Sequence, residues 1–175
     1  MKDLFSAKRL CRAGVIAALY VALTYVFMPF AYGPLQIRPA EALCILPLFF
    51  VEAVPALYIG CMLANLFSGF GAYDIFIGSA VTLVAALCTF FIGKLVKKSL
   101  PKFLVGAIFP VLFNAVVIPF VILFFSTTGE IPSATLYFTY FFSLLLTQTV
   151  WIYGLGAPVY SFIDKMQKKG FTPLL

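Results

Sequence analysis

The sequence contains no histidine, and charged residues make up only 10% of its 175 residues. Histidine is the commonest metal ligand and proton shuttle, so its absence argues against a metal centre and against histidine-based catalysis. The low charge, together with 63% hydrophobic residues, excludes an ordinary soluble globular protein. We therefore predict an integral membrane protein that needs no metal and no cofactor.

The motifs of common enzymes and nucleotide-binding proteins are also missing. The chain has no GxSxG nucleophile elbow, no HExxH motif and no GxxxxGK[ST] phosphate loop. The four cysteines, Cys11, Cys44, Cys61 and Cys88, show no metal-ligand spacing, which favours a packing role. We predict that the protein is not an enzyme and that another chain hydrolyses any ATP used for transport.

Six apolar stretches are present, and a membrane-spanning helix needs about 20 such residues. The predicted helices cover approximately residues 8–32, 39–50, 52–68, 74–97, 103–125 and 134–162. The second is short and contains Pro47, so a kink or a partial crossing is expected. The predicted fold is an all-α integral membrane protein, a single domain over residues 1–175 with six transmembrane helices.

The basic residues fall on one side of this arrangement. All twelve lysines and arginines except Arg38 precede helix 1, surround the link between helices 4 and 5, or follow helix 6. Because positive charge marks cytoplasmic loops, we predict a multi-pass plasma-membrane protein with both termini cytoplasmic. The net charge of +6 is then an orientation signal and does not indicate nucleic acid. The opposite, outer face carries Gln36, Arg38, Glu41, Asp74 and Glu130.

Polar residues in or beside the apolar spans are the candidates for a binding site, because a polar side chain facing lipid is costly. Most of the acidic candidates lie in the stretch 33–74, which also holds Glu52 near the cytoplasmic turn, where a structural role is expected. The predicted site residues are Arg38, Glu41, Asn65, Asp74, Ser79, Asn114, Gln148 and Trp151.

These candidates also have structural interpretations. Arg38 and Glu41 are three residues apart, a spacing that permits an ion pair pinning the loop onto helix 2. Asp74 can cap helix 4, and the amide side chains can join helices together. Trp151 lies too deep for an interfacial belt, which favours a stacking wall.

Helix 1 carries Gly14, Ala18 and Ala22 at four-residue spacing. Small residues one turn apart let a second helix approach closely inside a bilayer. The pattern predicts close helix packing, either within this chain or against a partner protein.

Several of these residues lie in segments that resemble a known family. Residues 35–86, with IRPAEAL, EAVPALYIG, the pair Ala-Asn ending at Asn65, and Asp74 followed by GSAVT, resemble the QueT family of queuosine-precursor transporters. Asn114 after PVLF and GLGAP at 154–158 extend the resemblance over nearly the whole chain.

The resemblance implies a substrate-binding S component of an energy-coupling factor (ECF) transporter. Such a protein is a compact six-helix bundle that captures its ligand from outside and is thought to reorient in the membrane. The implied partners are a transmembrane coupling subunit and two ATPase subunits. Small residues on helix 1 commonly meet the coupling subunit in this class, which favours partner docking for Gly14, Ala18 and Ala22.

The ligand class implied is a 7-deazaguanine: the aminomethyl precursor, queuine or queuosine. Its adjacent N–H donors match a carboxylate, and its carbonyl and ring nitrogens suit amides. The carboxylate candidates are Glu41 and Asp74, the amide candidates are Asn65, Asn114 and Gln148, and the stacking candidate is Trp151. Gln148 stands where the family pattern suggests an acidic residue, and a neutral amide does not attract an ammonium group. This departure leaves queuine and queuosine open beside the aminomethyl precursor.

Other functions remain as alternatives. An S component for another vitamin would share the fold. A stand-alone small-solute facilitator needs a continuous polar path to the cytoplasm, and the inner halves of helices 4 and 5 contain few polar residues. An intramembrane enzyme is disfavoured by the missing catalytic motifs.

Overall fold

The computed structural model describes residues 6–32, 35–68, 71–125 and 132–170, and the regular structure in these ranges is entirely helical. This confirms the predicted all-α class. Glu130, assigned above to the outer face, lies outside the described residues, as do the chain ends at 1–5 and 171–175.

Six main helices follow one another in the described part of the chain, with a short helical turn at Met28–Ala31 after the first. We number them α1 (Ala7–Val26), α2 (Pro39–Leu48), α3 (Ala53–Asn65), α4 (Asp74–Leu95), α5 (Ser99–Phe125) and α6 (Ala134–Lys168). Helices α4 and α6 each include a π-helical turn, at Asp74–Gly78 and Val150–Leu155 respectively.

Four of these helices, α1, α4, α5 and α6, are long and apolar enough to cross a membrane, by length and composition. The other two, α2 and α3, are apolar but shorter. A multi-pass membrane protein is therefore supported, and six crossings stay a prediction.

Helix boundaries differ most from the sequence prediction at the ends of α1 and α6, and by three or four residues at the end of α3 and the start of α5. α1 ends at Val26 instead of continuing to residue 32, because Pro29 has no N–H with which to extend the helical ladder. α6 continues to Lys168, beyond the predicted end at 162. Its last turns are amphipathic in sequence and include the ion pair between Asp164 and Lys168, which are one helical turn apart.

The short helix α2 lies at the centre of the molecule, and all ten of its residues are buried. It contacts α1, α3, α4, α5 and α6. Its conformation is 3₁₀, with three residues per turn and a rise of about 2 Å per residue, so it extends about 20 Å. The sequence predicted a short helix with Pro47 inside it. The structure shows this short helix enclosed by the other five helices.

At its C-terminal end, α2 is held by close packing. A Cβ atom at Gly93 of α4 would lie 2.8 Å from the Leu48 carbonyl oxygen, and one at Gly106 of α5 would lie 2.5 Å from Leu48 Cδ2. The Phe49 ring then packs on Tyr160 of α6 with ring centroids 4.9 Å apart. We call Leu48 and Phe49 the packed end of α2.

The turn between α2 and α3 is tied to α1 by a pair of opposite charges. Arg12 Nε lies 3.1 Å from Glu52 Oε1, and the Arg12 guanidinium lies 4.6 Å from the centroid of the Phe50 ring. Because burying an unpaired carboxylate is costly, the pair accounts for the nearly complete burial of Glu52. This agrees with the structural role expected for Glu52.

Candidate functional site

The N-terminal end of α2 is polar. Arg38, immediately before the helix, and Glu41 and Cys44 within it follow one another at intervals of three residues. Since a 3₁₀ helix has three residues per turn, Glu41 and Cys44 lie on one face, while Arg38 is in extended backbone immediately before the helix. All three are buried, at 5%, 2% and 3% exposure, so each needs partners inside the protein. We call these three residues the polar end of α2.

Glu41 accepts hydrogen bonds from three helices. The Tyr20 hydroxyl of α1 donates to Oε1 at 2.8 Å, and the Cys44 thiol and Asn114 Nδ2 of α5 reach Oε2 at 3.3 and 3.2 Å. Asn114 Nδ2 also lies 3.3 Å from Gln148 Oε1 of α6. Four helices therefore meet around one buried carboxylate.

The hydrogen bonds around Glu41 form one chain of polar groups, and Arg38 begins a second. Its guanidinium donates to Asn65 Oδ1 of α3 and lies 4.8 Å from the centroid of the Tyr32 ring. Asn65 Nδ2 donates in turn to the backbone carbonyl of Asp74 at 3.0 Å. Burial lowers the pKa of Arg38, but neighbouring acidic groups, Glu41 among them, outweigh burial and raise it above its ordinary value.

The ion pair that the spacing of Arg38 and Glu41 permits is not formed: within the described ranges no oxygen of Glu41 lies within 4.0 Å of the guanidinium nitrogens. The two side chains instead turn to different helices, Arg38 to Asn65 and Glu41 to Tyr20 and Asn114. Arg38 thus ties the loop before α2 to α3, and Glu41 ties α2 to α1 and α5.

Asp74 is buried beside this second chain, at the start of α4. A Cβ atom at Gly78 would lie 2.9 Å from Asp74 Oδ1 and 3.0 Å from Asn65 Nδ2. A side chain at residue 78 would therefore displace both groups. Within the described residues, the Asp74 carboxylate forms no side-chain cap of its own helix, contrary to the capping interpretation.

Between the two chains of polar groups lies a small polar cavity that is too narrow to admit a water molecule. Four helices, α2 to α5, and the loop before α2 contribute to its wall. The lining residues are Gln36, Arg38, Glu41, Cys61, Asn65, Gly78, Thr82, Asn114 and Ile118. The structure thus brings Arg38, Glu41, Asn65 and Asn114 to one cavity, with Asp74 and Gln148 bonded to or packed against them.

Two predicted site residues are placed elsewhere. The Ser79 hydroxyl donates to the carbonyls of Ile75 and Phe76 in its own helix. Trp151 is partly buried in the π-helical turn of α6 and does not line the cavity. The structure gives neither residue a contact with the cavity.

The sequence analysis missed several residues of this region: Tyr20, Gln36, Cys61 and Thr82. Gln36 is buried and adopts a left-handed backbone with a φ of 40°, which is uncommon for a residue other than glycine and is found often at functional sites. The Thr82 hydroxyl lies 3.3 Å from Cys61 Sγ, so Cys61 belongs to the polar wall as well as to the core. Two of these residues carried a signal in their polarity: Gln36, which the sequence placed on the outer face, and Thr82. A tyrosine in an apolar helix is unremarkable.

The small-residue face of α1, formed by Gly14, Ala18 and Ala22, is exposed. It borders an open groove of about 800 Å³ whose other wall includes Leu63 and Phe67. Packing of α1 within the chain uses different residues. At its contact with α3, a Cβ atom at Gly60 would lie 3.0 Å from Tyr20 Cβ and 3.2 Å from the Ala17 carbonyl oxygen. Helix packing within the described part of the chain therefore leaves the small-residue face exposed.

Comparison with known proteins decides the family. The family model described as QueT transporter matches residues 10–165. The chain belongs to the QueT transporter family. Membership confirms the resemblance noted from the sequence, and the family is described as one of transporters.

One relative is the queuosine precursor transporter QueT of Lactococcus lactis subsp. cremoris (strain MG1363). It is 39% identical over 72 residues, a match that covers 40% of this chain and 42% of that protein. The aligned part thus spans less than half the length of the relative. No solved structure matches the chain.

Proposed function

We propose that this member of the QueT family is the substrate-binding S component of an ECF-type importer. It captures a queuosine precursor or a related 7-deazaguanine from outside the cell for ATP-driven uptake. The observation that carries the proposal is the convergence of a carboxylate, a guanidinium and two amides, from Glu41, Arg38, Asn65 and Asn114, on one cavity. In an otherwise apolar membrane protein such a cluster marks a ligand site.

The hydrogen bonds that Glu41 accepts within the protein can be replaced by bonds from such a ligand. The Asn114 contact to Oε2 is long, at 3.2 Å, and the Cys44 thiol, 3.3 Å from the same oxygen, is a weak donor. A 7-deazaguanine carries adjacent N–H donors, which form stronger, charge-assisted hydrogen bonds with a carboxylate. Because the cavity is too narrow for a water molecule, ligand entry requires Asn114 and its neighbours to move apart. The ligand then takes over their hydrogen bonds to Glu41.

The charge of the cluster favours a cationic ligand. Glu41 and Asp74 are two buried carboxylates, and Arg38 is the one guanidinium beside them. Their formal charges leave one negative charge in excess. An aminomethyl arm carries a positive charge that offsets it, so among precursors of the same size we expect the aminomethyl compound to bind more tightly than the nitrile.

Ligand-dependent thermal stabilisation of the purified protein tests the substrate class, because a ligand that binds only the folded state raises the unfolding temperature. The panel is the aminomethyl precursor, the nitrile precursor, queuine, queuosine, guanine and riboflavin. Stabilisation by a deazaguanine and none by guanine is the expected result. Stabilisation by riboflavin alone would support the alternative of an S component for another vitamin.

The same proposal assigns the small-residue face of α1 to the coupling subunit. Its exposure and the groove beside it leave room for a partner helix to approach closely. In the proposed complex the coupling subunit lies there, two ATPase subunits complete the assembly, and both termini of the chain are cytoplasmic.

Ala18→Leu tests this surface, since a larger side chain keeps a partner helix at a distance. We expect reduced co-purification with the coupling and ATPase subunits and unchanged ligand stabilisation of the isolated protein. Leu19→Phe, which enlarges an exposed side chain about 100° around α1 from Ala18, is the matched control. Normal assembly of Ala18→Leu would remove the small-residue face from the proposal.

A stand-alone facilitator is the weaker alternative. It needs a polar path from the cavity to the opposite side. In the described protein, the packed end of α2 closes this route with Leu48 between Gly93 and Gly106. Uptake by the isolated protein in vesicles, without coupling or ATPase subunits, would favour the facilitator.

A further inference from the structure

Arg38 has one hydrogen-bond donor that no group in the described protein uses. Its side chain is 5% exposed, and its Nε atom is buried without a partner among the described residues. A guanidinium stays charged in proteins and carries its donors in a fixed plane. Because an unpaired buried donor is costly and rare in native structures, this N–H group calls for an explanation.

The rest of the Arg38 side chain is held in place. The terminal nitrogen Nη2 donates to Asn65 Oδ1, and the guanidinium lies over the Tyr32 ring. Arg38 also lines the cavity beside Glu41. The unpaired N–H group therefore belongs to a fixed side chain in the wall of the proposed site, where it suits a ligand atom that accepts a hydrogen bond.

We propose that Arg38 Nε donates a hydrogen bond to the ring carbonyl oxygen of the bound base and so selects for that carbonyl. This inference rests on the proposed 7-deazaguanine ligand. In such a base the carbonyl adjoins the N–H donors on the same edge. Arg38, in extended backbone immediately before α2, and Glu41, in the first turn of α2, line the same cavity. One edge of a single base therefore meets both residues, its N–H groups at Glu41 and its carbonyl at Arg38.

The test compares two compounds that differ in one atom, 7-deazaguanine and 6-thio-7-deazaguanine. The thio compound keeps the ring N–H and the amino group and replaces the carbonyl oxygen by sulfur, a weaker acceptor. Binding to the full-length purified protein is measured by titration. We expect the wild-type protein to bind the carbonyl compound about tenfold more tightly, as for loss of one charge-assisted hydrogen bond.

Arg38→Met and Arg38→Lys are both expected to bring this ratio close to one. Lysine keeps the positive charge, but its single nitrogen is drawn to Asn65 and leaves no donor for the carbonyl. If Arg38 acted through its charge alone, Arg38→Lys would keep the tenfold ratio. Glu41→Gln is the matched control, which weakens binding of both compounds and leaves their ratio unchanged.

Each outcome bears on a different claim. Equal binding of both compounds by the wild-type protein would overturn the role of Arg38 and leave the proposed ligand class intact. An unchanged tenfold ratio in Arg38→Lys, or in a folded Arg38→Met, would overturn it too. Binding of neither compound by folded wild-type protein, with no stabilisation by any larger deazaguanine, would overturn the proposed function together with this inference.

Discussion

The two ends of α2 are held by opposite means. At its polar end, hydrogen bonds from α1, α3 and α5 surround a cavity. At its packed end, Leu48 lies where α4 and α5 offer glycines, so close that a single Cβ atom would overlap it. One helix of ten residues thus has a polar end whose hydrogen-bond partners can be exchanged and a packed end whose neighbours cannot move apart.

The difference follows from the energetics of the two kinds of contact. A hydrogen bond exchanged for another changes stability by only about 1 kcal/mol, so the polar end can open when a ligand supplies replacement donors and acceptors. Separating close-packed surfaces leaves a void with no compensating partner. We expect the polar end to move on ligand binding and the packed end to stay fixed.

The largest effect should come from filling the packed end. Gly93→Ala places a methyl group 2.8 Å from the Leu48 carbonyl oxygen, a backbone atom that cannot turn away. Overpacking costs about 1–3 kcal/mol and occasionally more, and a contact with backbone belongs at the upper end, so we expect a large fall in the unfolding temperature of the purified protein.

Two other glycines serve as comparisons. Gly106→Ala meets only the end of the Leu48 side chain, which can rotate, so its fall should be smaller. Gly154→Ala meets nothing within 4 Å and should leave the unfolding temperature nearly unchanged. Equal stability of all three variants would show that the packed end tolerates change as readily as the polar end.

An intermediate effect is expected from neutralising the polar end. Glu41→Gln removes the carboxylate charge from the proposed site and should weaken binding of the aminomethyl precursor about ten- to a hundredfold. Glu52→Gln removes a buried carboxylate at the other end of α2, where it pairs with Arg12. Titration of both purified variants should show near wild-type affinity for Glu52→Gln, and a similar loss in both would contradict the assignment of the site to the polar end.

The smallest effect concerns the link from the polar end to α1. Tyr20→Phe removes the hydroxyl that donates to Glu41 Oε1 and should lower the free energy of unfolding by about 1 kcal/mol. Tyr25→Phe, an exposed tyrosine of the same helix, should have no such effect. If thermal unfolding does not distinguish the two variants, the Tyr20 contact adds nothing to the stability of the polar end.

Much of this arrangement can be predicted from the sequence. The rule that polar side chains avoid lipid led to Arg38, Glu41, Asn65 and Asn114, and the structure brings all four to one cavity. The apolar stretches likewise predicted the six helices to within a few residues at most ends. Both inferences depend on where polar and apolar residues stand along the chain, which can be read directly from the sequence.

The remainder depends on three-dimensional packing, which the sequence does not report. All ten residues of α2 are buried, so its apolar pattern has no period that would distinguish a 3₁₀ helix from an α-helix. Trp151 was expected at the ligand because of its depth along α6, but depth does not fix the direction of a side chain. Tyr20 was not predicted because its role depends on a hydrogen bond to Glu41, which lies 21 residues further along the chain.

The three-residue period of α2 restricts how the chain can change in length during evolution. Inserting one residue between Glu41 and Leu48 turns one end relative to the other by about 120°. The carboxylate then faces away from Asn114 if Leu48 stays between its glycines. Inserting three residues restores the angle but lengthens the helix by about 6 Å. We therefore expect insertions and deletions among relatives to fall in the loops and to spare this segment.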